Sequence, residues 1–293
     1  MVTALWALHH GMNAMLAEEK RRSASPFTEK LLRPPGESLR LKIEEIRMSM
    51  MDTGMVLAIG LVIPAFAAMP TWNNSWIVRI MNWMVFAGAG YGMAIGQWRK
   101  LKRLRNDLRS YQLGFDGERY VAAELDPLIA RGYRVFHDFV VNWKPGGDAS
   151  DFNIDHVAVG PDGVFVFETK ARRKPLDSAN GGKKQYKVRF DGKTLHFPEY
   201  ATAEPIEQAK RNAKTLQDWL SQTTIPGLVV RPVVVIPGWW IETEDDRARS
   251  GVQRAKGLAD RVPALARGRR LSNDEIKQIA GRMEAHCRNV EGA

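Results

Sequence analysis

Two apolar segments on either side of a short turn constrain the fold of this chain most strongly. Ile154–Val159 and Val164–Lys170 are rich in β-branched and aromatic residues, and Gly160–Gly163 between them has the composition of a four-residue turn. Because both faces of this predicted β-hairpin are largely apolar, we expect it to lie at the centre of a sheet that is covered on both sides.

The same hairpin carries two acidic residues and a lysine at one end. If Val159 pairs with Val164 across the turn, Asp155 lies opposite Glu168, and strand alternation places Lys170 on the face of Glu168. Carboxylates at directly opposed positions, with Cβ atoms about 5 Å apart, repel each other. The residues leave two interpretations open: a Mg²⁺ or Mn²⁺ ion held by Asp155 and Glu168, or a buried ion pair with Lys170.

A predicted helix precedes the hairpin and continues to Ala130. Its apolar stripe consists of Val121, Ala122, Leu125, Leu128 and Ile129. Glu118 shares the inward face, where a carboxylate is either a satisfied cap or a group that points into a site. His156 follows Asp155, so alternation turns it to the opposite face of the strand, which favours a packed or supporting histidine over a metal ligand.

Three motifs in this region occur together: Gly114-x-x-Gly117-Glu118, Ile154-Asp155-His156-x-x-x-Gly160 and Val166-Phe167-Glu168-Thr169-Lys170. The combination resembles the NERD (nuclease-related) domain, a branch of the PD-(D/E)XK endonuclease-like superfamily. The resemblance covers roughly residues 114–208 and extends more loosely to about residue 258. It is the combination that is specific, because the Glu-x-Lys tripeptide alone is a weak signal.

The resemblance implies a restriction-endonuclease-like α/β fold with a mixed sheet flanked by helices. It makes Asp155 and Glu168 metal ligands for Mg²⁺ or Mn²⁺ and Lys170 the catalytic lysine. Glu118 corresponds to a helix glutamate near the metal. Gln208 corresponds to a glutamine on a later helix, so the implied catalytic set comprises these five residues.

The sequence departs from the family pattern at two positions. Glu204 stands where Asn is commoner at the start of the helix that carries Gln208, and Ile154 stands where the superfamily has a proline. The second departure is usual for this branch and does not argue against a metal site. Gln208 and Asn212, one turn apart, could reach phosphate or water near the metal, or they form a partly exposed helix flank.

Residues 53–98 have a different character from the rest of the chain. There is no charged side chain from residue 53 to residue 78, and after Arg79 there is none up to residue 98. A helix needs about 20 predominantly apolar residues to span the hydrocarbon layer. We therefore predict two transmembrane helices, at residues 52–69 and 76–98, joined by a polar link.

This prediction sets the domain organisation and the location. The chain divides into an N-terminal segment (1–47), a transmembrane hairpin (48–98) and a nuclease-related domain (99–293). Basic residues flank both ends of the hairpin, so the positive-inside rule predicts a multi-pass membrane protein with both termini in the cytoplasm. A ridge of small residues on the second helix packs against the first helix or forms a homodimer; it comprises Gly88, Gly92 and Gly96.

The charge balance favours polyanionic partners. The chain has 43 basic and 33 acidic residues, and from residue 99 onward there are 34 basic and 26 acidic residues, a net charge of +8. A basic surface attracts nucleic acid and also anionic lipid. Basic residues adjoin the predicted site in sequence, at Lys170, Arg172, Arg173, Lys174, Lys183, Lys184, Lys187 and Arg189.

Three functions remain after these observations. The first is a membrane-anchored, divalent-metal-dependent nuclease that hydrolyses DNA on the cytoplasmic side. The second is a catalytically silent module that binds nucleic acid at the membrane. The third is an interaction protein whose basic face binds anionic lipid. The one cysteine, Cys287, excludes an intrachain disulfide, which fits a reducing compartment.

Overall fold

Two long helices precede an α/β domain in the computed structural model of the chain. The structure describes residues 32–67, 75–141, 153–174, 187–221, 225, 227–243, 251–266 and 269–290. Helix α1 comprises Glu37–Ala67 and helix α2 comprises Trp76–Leu125, and the two helices pack against each other. Helix α2 is continuous across residues 98 and 99, so one helix carries both the predicted membrane segment and Glu118.

The α/β domain contains two mixed sheets. In chain order its elements are a 3₁₀ helix (Asp126–Arg131), β1 (Arg134–Val140), β2 (Asn153–Gly160), β3 (Gly163–Thr169), β4 (Lys187–Phe190), β5 (Leu195–His196), β6 (Ala201–Thr202), α3 (Glu204–Leu220), β7 (Val230–Ile236), β8 (Trp240–Thr243), β9 (Val252–Arg254), α4 (Leu258–Arg261), a 3₁₀ helix (Val262–Leu265) and α5 (Asn273–Val290). The larger sheet has the order β1-β2-β3-β7-β9, and the smaller has the order β6-β5-β4-β8. In the larger sheet the first three strands are antiparallel, whereas β3, β7 and β9 are parallel. The predicted α/β class with mixed sheets and flanking helices is confirmed.

The central hairpin has the predicted register. Val159 pairs with Val164 across the turn, and the antiparallel ladder continues to His156 and Phe167. One face of the sheet packs against α3 and α5, and the opposite face packs against α2, α4 and the two 3₁₀ helices. The hairpin is therefore central and covered on both sides, as predicted. The predicted helical stripe is buried except at Ile129, which is exposed because the α-helix ends at Leu125.

The prediction of a membrane-spanning hairpin is wrong. Within the residues that the structure describes, no helix is both long enough and apolar enough to cross a membrane. The predicted multi-pass membrane location, with spans at 52–69 and 76–98 and both termini in the cytoplasm, is therefore also wrong. The predicted link at residues 70–75 lies outside the described residues except for Ser75.

The two segments lack charge along most of their length, but their described residues are not apolar enough to span a membrane. Residues 76–98 contain four glycines and three tryptophans in addition to Arg79 and Asn82, and all of these have low hydropathy. In residues 52–67 the acidic Asp52 and several glycine, threonine and proline residues have the same effect. The aromatic residues Trp76, Trp83 and Trp98 are exposed on α2.

The predicted glycine ridge is not where the two helices meet. A Cβ atom added at Gly88, Gly92 or Gly96 would meet no atom of the described residues within 4 Å. Instead Gly90 is buried, and a Cβ atom on Gly60 would lie 3.7 Å from the Gly90 carbonyl oxygen. The packing of the ridge against α1 is therefore wrong, and its role in a homodimer stays a prediction.

Gly160 tests the packing at the turn of the hairpin. An added Cβ atom would lie 2.1 Å from the Tyr133 ring, so Gly160→Ala should destabilise the domain by about 1–3 kcal/mol through overpacking. Gly281, inside α5, has open space at its Cβ position, so Gly281→Ala should be neutral or stabilise by up to about 1 kcal/mol. Urea unfolding of both variants measures the difference. Equal stability of the two variants would contradict the packing described here.

Candidate metal and nuclease site

The predicted site residues surround one cavity of about 660 Å³. Its lining includes all five residues of the predicted catalytic set, which are Glu118, Asp155, Glu168, Lys170 and Gln208. Helix α2, strands β2 and β3, and helix α3 bring them there from sequence positions up to 90 residues apart. The structure therefore places the five side chains together, and their catalytic roles stay predictions.

The two carboxylates on the hairpin are held by hydrogen bonds from their neighbours. Asp155 Oδ2 accepts a bond of 2.6 Å from the backbone N–H of Thr169, and Glu168 Oε2 accepts a bond of 2.9 Å from Asn212 Nδ2. The other Glu168 oxygen, Oε1, lies 3.1 Å from Lys170 Nζ. The contact that the ion-pair interpretation requires is therefore present, with Lys170 on the predicted face.

Lys170 Nζ also donates a hydrogen bond of 2.9 Å to Gln208 Oε1. Glu204 Oε2 is 4.0 Å from the same ammonium group. Helix α3 thus contributes to the site through three side chains, because Asn212, which is buried, holds Glu168 from the same helix. Asn212 is therefore not part of a partly exposed helix flank, which was the alternative interpretation of these two residues. Gln208 is half-buried and contacts Lys170.

Burial raises the pKa values of three acidic residues of the predicted site, Glu118, Asp155 and Glu168. Desolvation, with a smaller contribution from Asp155, raises the pKa of Glu168 to about 8. Desolvation also raises the pKa of Asp155 to about 6, although the Thr169 N–H and Lys170 oppose the shift. The pKa of Glu118 is raised most, by desolvation and then by the negative charge of Asp155. A positive charge placed among these groups would relieve both desolvation and repulsion.

Glu118 is aimed into the cavity by a close approach of α2 to the end of β3. A Cβ atom on Gly117 would lie 2.6 Å from Ala171 Cβ, so glycine permits the helix to come this near. Glu118 is a buried residue of α2 and lies far from the start of this helix at Trp76, so it is not an N-cap. Its Oε2 atom is buried and has no hydrogen-bond partner among the described residues.

The donor set fits a hard divalent cation bound by two side chains. Mg²⁺ is commonly held by one or two carboxylates together with water and substrate phosphate. Asp155 and Glu168 supply such carboxylates, and the unpartnered Glu118 oxygen lines the same cavity. Within the described ranges, no group of three or more acidic, histidine or cysteine side chains is arranged to hold a metal ion. The fit therefore rests on a two-carboxylate arrangement.

His156 packs away from the cavity. Its side chain is fully buried, and its Nδ1 atom lies 2.9 Å from Nδ1 of His137. Burial, followed by the neighbouring His137, lowers the pKa of His156 well below its usual value. The prediction of a packed histidine is confirmed.

The N-terminal segment forms a wall of the cavity that the sequence did not reveal. Arg33, Ser38, Leu41, Lys42 and Glu45 all line the cavity from the segment that contains the start of α1. This segment is attached to the α/β domain by a buried ion pair. The motifs of the nuclease-related domain begin at Gly114, so no sequence signal connected it with the site.

The attachment centres on Asp138 of strand β1. Arg33 Nη2 lies 2.5 Å from Asp138 Oδ2, and both side chains are buried. The backbone N–H and the hydroxyl of Ser38 each donate a bond of 3.0 Å to the same oxygen, and Asn153 Nδ2 donates to Oδ1. Asp138 has a φ of 49°, a strained conformation for a non-glycine residue that these contacts hold in place.

The basic residues that follow the site in sequence make different contacts in the structure. Arg172 lines the cavity and is exposed, and Arg173 donates a hydrogen bond of 2.8 Å to the Arg109 carbonyl oxygen. Lys187 forms an exposed ion pair with Glu242. Lys183 and Lys184 lie outside the described residues.

These features define an α/β domain whose central hairpin presents buried carboxylates and a lysine to one cavity. Residues 113–237 match the family model of NERD, the nuclease-related domain. The chain thus carries a nuclease-related domain, which suggests a nuclease-related function, and the matched region contains all five predicted site residues. No significant match was found among curated proteins or solved structures.

The buried Arg33–Asp138 pair predicts a large stability effect. Arg33→Met removes the cationic partner of the buried Asp138 carboxylate, which should cost about 3–5 kcal/mol. Arg40→Met is the matched control, because the Arg40 side chain is exposed and pairs, among the described residues, only with Glu37 and Glu44 of its own helix. This substitution should change stability little. Urea unfolding compares the two variants, and similar losses in both would contradict a docked N-terminal segment.

The raised pKa values predict that metal-free stability falls as the pH rises. The folded protein retains protons on Asp155 to about pH 6 and on Glu168 to about pH 8, whereas the unfolded chain loses them near pH 4. Below pH 4 these protons contribute their full stabilisation of the folded state. The contribution decreases as the pH rises and is lost above about pH 8.

This pH dependence can be assigned to one residue. Glu168→Gln should reduce the fall in melting temperature between pH 6 and pH 8 in EDTA, because the amide does not ionise. Glu207→Gln, which alters an exposed glutamate of α3, should leave the fall unchanged. An identical pH dependence for wild type and Glu168→Gln would contradict the raised pKa of Glu168.

Proposed function

We propose that this chain is a divalent-metal-dependent nuclease that hydrolyses phosphodiester bonds of DNA. The observation that carries the proposal is the pair of buried carboxylates on adjacent strands, Asp155 and Glu168, with Lys170 Nζ 3.1 Å from Glu168. The match to the nuclease-related domain supports a nucleic-acid substrate. No membrane location enters the proposal.

Asp155 and Glu168 are the residues that hold Mg²⁺ or Mn²⁺. When bound, the ion neutralises charge that develops on the scissile phosphate and lowers the pKa of a bound water. Asn212 and the Thr169 N–H fix the two carboxylates through the oxygens that they bind, Glu168 Oε2 and Asp155 Oδ2.

Lys170 orients the attacking water and donates a hydrogen bond to a phosphate oxygen. Gln208 accepts a bond from Lys170 Nζ and so fixes the direction of the ammonium group. Glu118, buried beside them with an unpartnered oxygen, accepts a hydrogen bond from water in the cavity. The wall formed by Arg33–Glu45 limits access of bulk water to this side.

Cleavage assays on the full-length protein test the proposal. Single-stranded, duplex and branched DNA should be cut with Mg²⁺ or Mn²⁺ and not in EDTA. Asp155→Asn and Lys170→Met should each lower the rate by at least about 100-fold, the range for removal of an electrostatic or proton-transfer group. Lys210→Met is the control, since Lys210 is exposed and pairs only with Glu207 among the described residues.

The outcomes separate the nuclease from the silent binding module. Wild-type rates in both site variants would contradict the proposal. DNA binding without cleavage by the wild-type protein, under every metal tested, would favour the catalytically silent module.

A further inference from the structure

A second cavity of about 310 Å³ adjoins the candidate site, and aromatic rings form much of its wall. We call it the aromatic cavity and define it by Phe197, Tyr200, Trp239, Arg172 and Arg173. The rings of Phe197, Tyr200 and Trp239 have no role in the proposed cleavage mechanism.

A short hairpin holds the rings in fixed positions. Strands β5 and β6 pair antiparallel, and in the turn between them the Phe197 N–H donates a bond of 2.8 Å to the Tyr200 carbonyl oxygen. The rings of Phe197 and Tyr200 stack with centroids 5.0 Å apart, and the Trp239 ring stands perpendicular to Phe197 at 5.3 Å. Tyr200 is 43% exposed, so one face of a rigidly supported ring is open.

The aromatic cavity shares part of its wall with the candidate site. Ala171 and Arg172 line both cavities, and they directly follow Lys170. The Trp239 indole N–H donates a bond of 3.2 Å to the Arg172 carbonyl oxygen, which fixes this shared wall. The two shared residues, Ala171 and Arg172, span at most about 7 Å when fully extended. This length is comparable to two stacked nucleotides along one strand, at about 3.4 Å each.

The charges around the aromatic cavity favour a base over a phosphate as its occupant. Arg172 lines both cavities and Arg173 lines the aromatic cavity, so a nucleic-acid backbone that passes from one cavity to the other would lie near Arg172. Glu199 lines the cavity beside Tyr200 and repels phosphate. A carboxylate accepts hydrogen bonds from the amino groups of bases, as acidic residues do with cytosine N4.

We propose that the aromatic cavity binds one unpaired nucleobase, next to the phosphate that the candidate site cleaves. The inference rests on the proposed function and adds a substrate class: DNA with an unpaired nucleotide beside the scissile bond. A base within a duplex is stacked on its neighbours and cannot offer a face to Tyr200. The volume lies at the low end for ligand pockets, which suits one base.

The test is an abasic scan in the Asp155→Asn background of the full-length protein, so that the DNA stays intact. Fluorescence anisotropy measures the binding of labelled single strands that each lack the base at one position. A missing base at one position should weaken binding about 5-fold or more, the range for loss of one base–aromatic stack. In the same background Tyr200→Leu should abolish this position dependence and weaken binding of the intact strand by the same factor.

Two further variants separate stacking from folding defects. Tyr200→Phe retains the ring and should keep the position dependence. Tyr120→Leu removes another exposed tyrosine that lines neither cavity and should behave like the parent. Melting temperatures verify that all variants fold.

The results distinguish failure of this inference from failure of the proposed function. An equal effect of base removal at every position, or the same sensitive position in Tyr200→Leu, would overturn the base site. Binding of duplex as tight as that of the single strand would also overturn it. An intact abasic footprint with no cleavage by the wild-type protein in any metal would contradict the nuclease and leave the base site standing.

Discussion

The burial of Asp155 and Glu168 at the end of an apolar hairpin is the constraint around which the domain is arranged. Moving a carboxylate out of water costs several kcal/mol per ion, and the cost is offset only by well-placed partners. Thr169, Asn212 and Lys170 supply those partners in the structure. Strand β3 and helix α3 meet at this point, and a bound cation would add positive charge beside the two carboxylates.

A second buried charge ties the N-terminal segment to the same cavity. Asp138 receives bonds from Arg33 and Ser38, which precede the matched nuclease-related region by more than 70 residues. A fragment that begins at residue 99 would lack both of these partners and leave Asp138 with the hydrogen bond from Asn153 but no cation beside it. A chain that includes residues 33–45 is consequently needed to form the wall of the cavity that these residues supply.

The sequence was most informative where local geometry determines position. The composition of Gly160–Gly163 predicted the register of the hairpin, and alternation then placed Lys170 beside Glu168 and His156 on the opposite face. These relations follow from the strand period of two, so they needed no long-range contact.

The sequence does not predict features that depend on contacts between distant residues or on the average hydropathy of a segment. The Arg33–Asp138 pair joins residues 105 positions apart, and neither residue stands in a motif. The membrane hairpin was wrong because glycine, tryptophan and asparagine leave a segment uncharged without making it apolar enough. Glycine spacing alone also could not show that Gly90, rather than Gly88 or Gly92, is the glycine buried against α1.

The central claim is that the two hairpin carboxylates bind a divalent cation, and a crystal soaked in Mn²⁺ tests it directly. Anomalous scattering should reveal a peak at about 2.0–2.2 Å from one oxygen each of Asp155 and Glu168, the range expected for such ions. Lys170 Nζ should then move away from its 3.1 Å contact with Glu168 Oε1. No peak at these oxygens at saturating Mn²⁺, with the ion pair intact, would contradict the account.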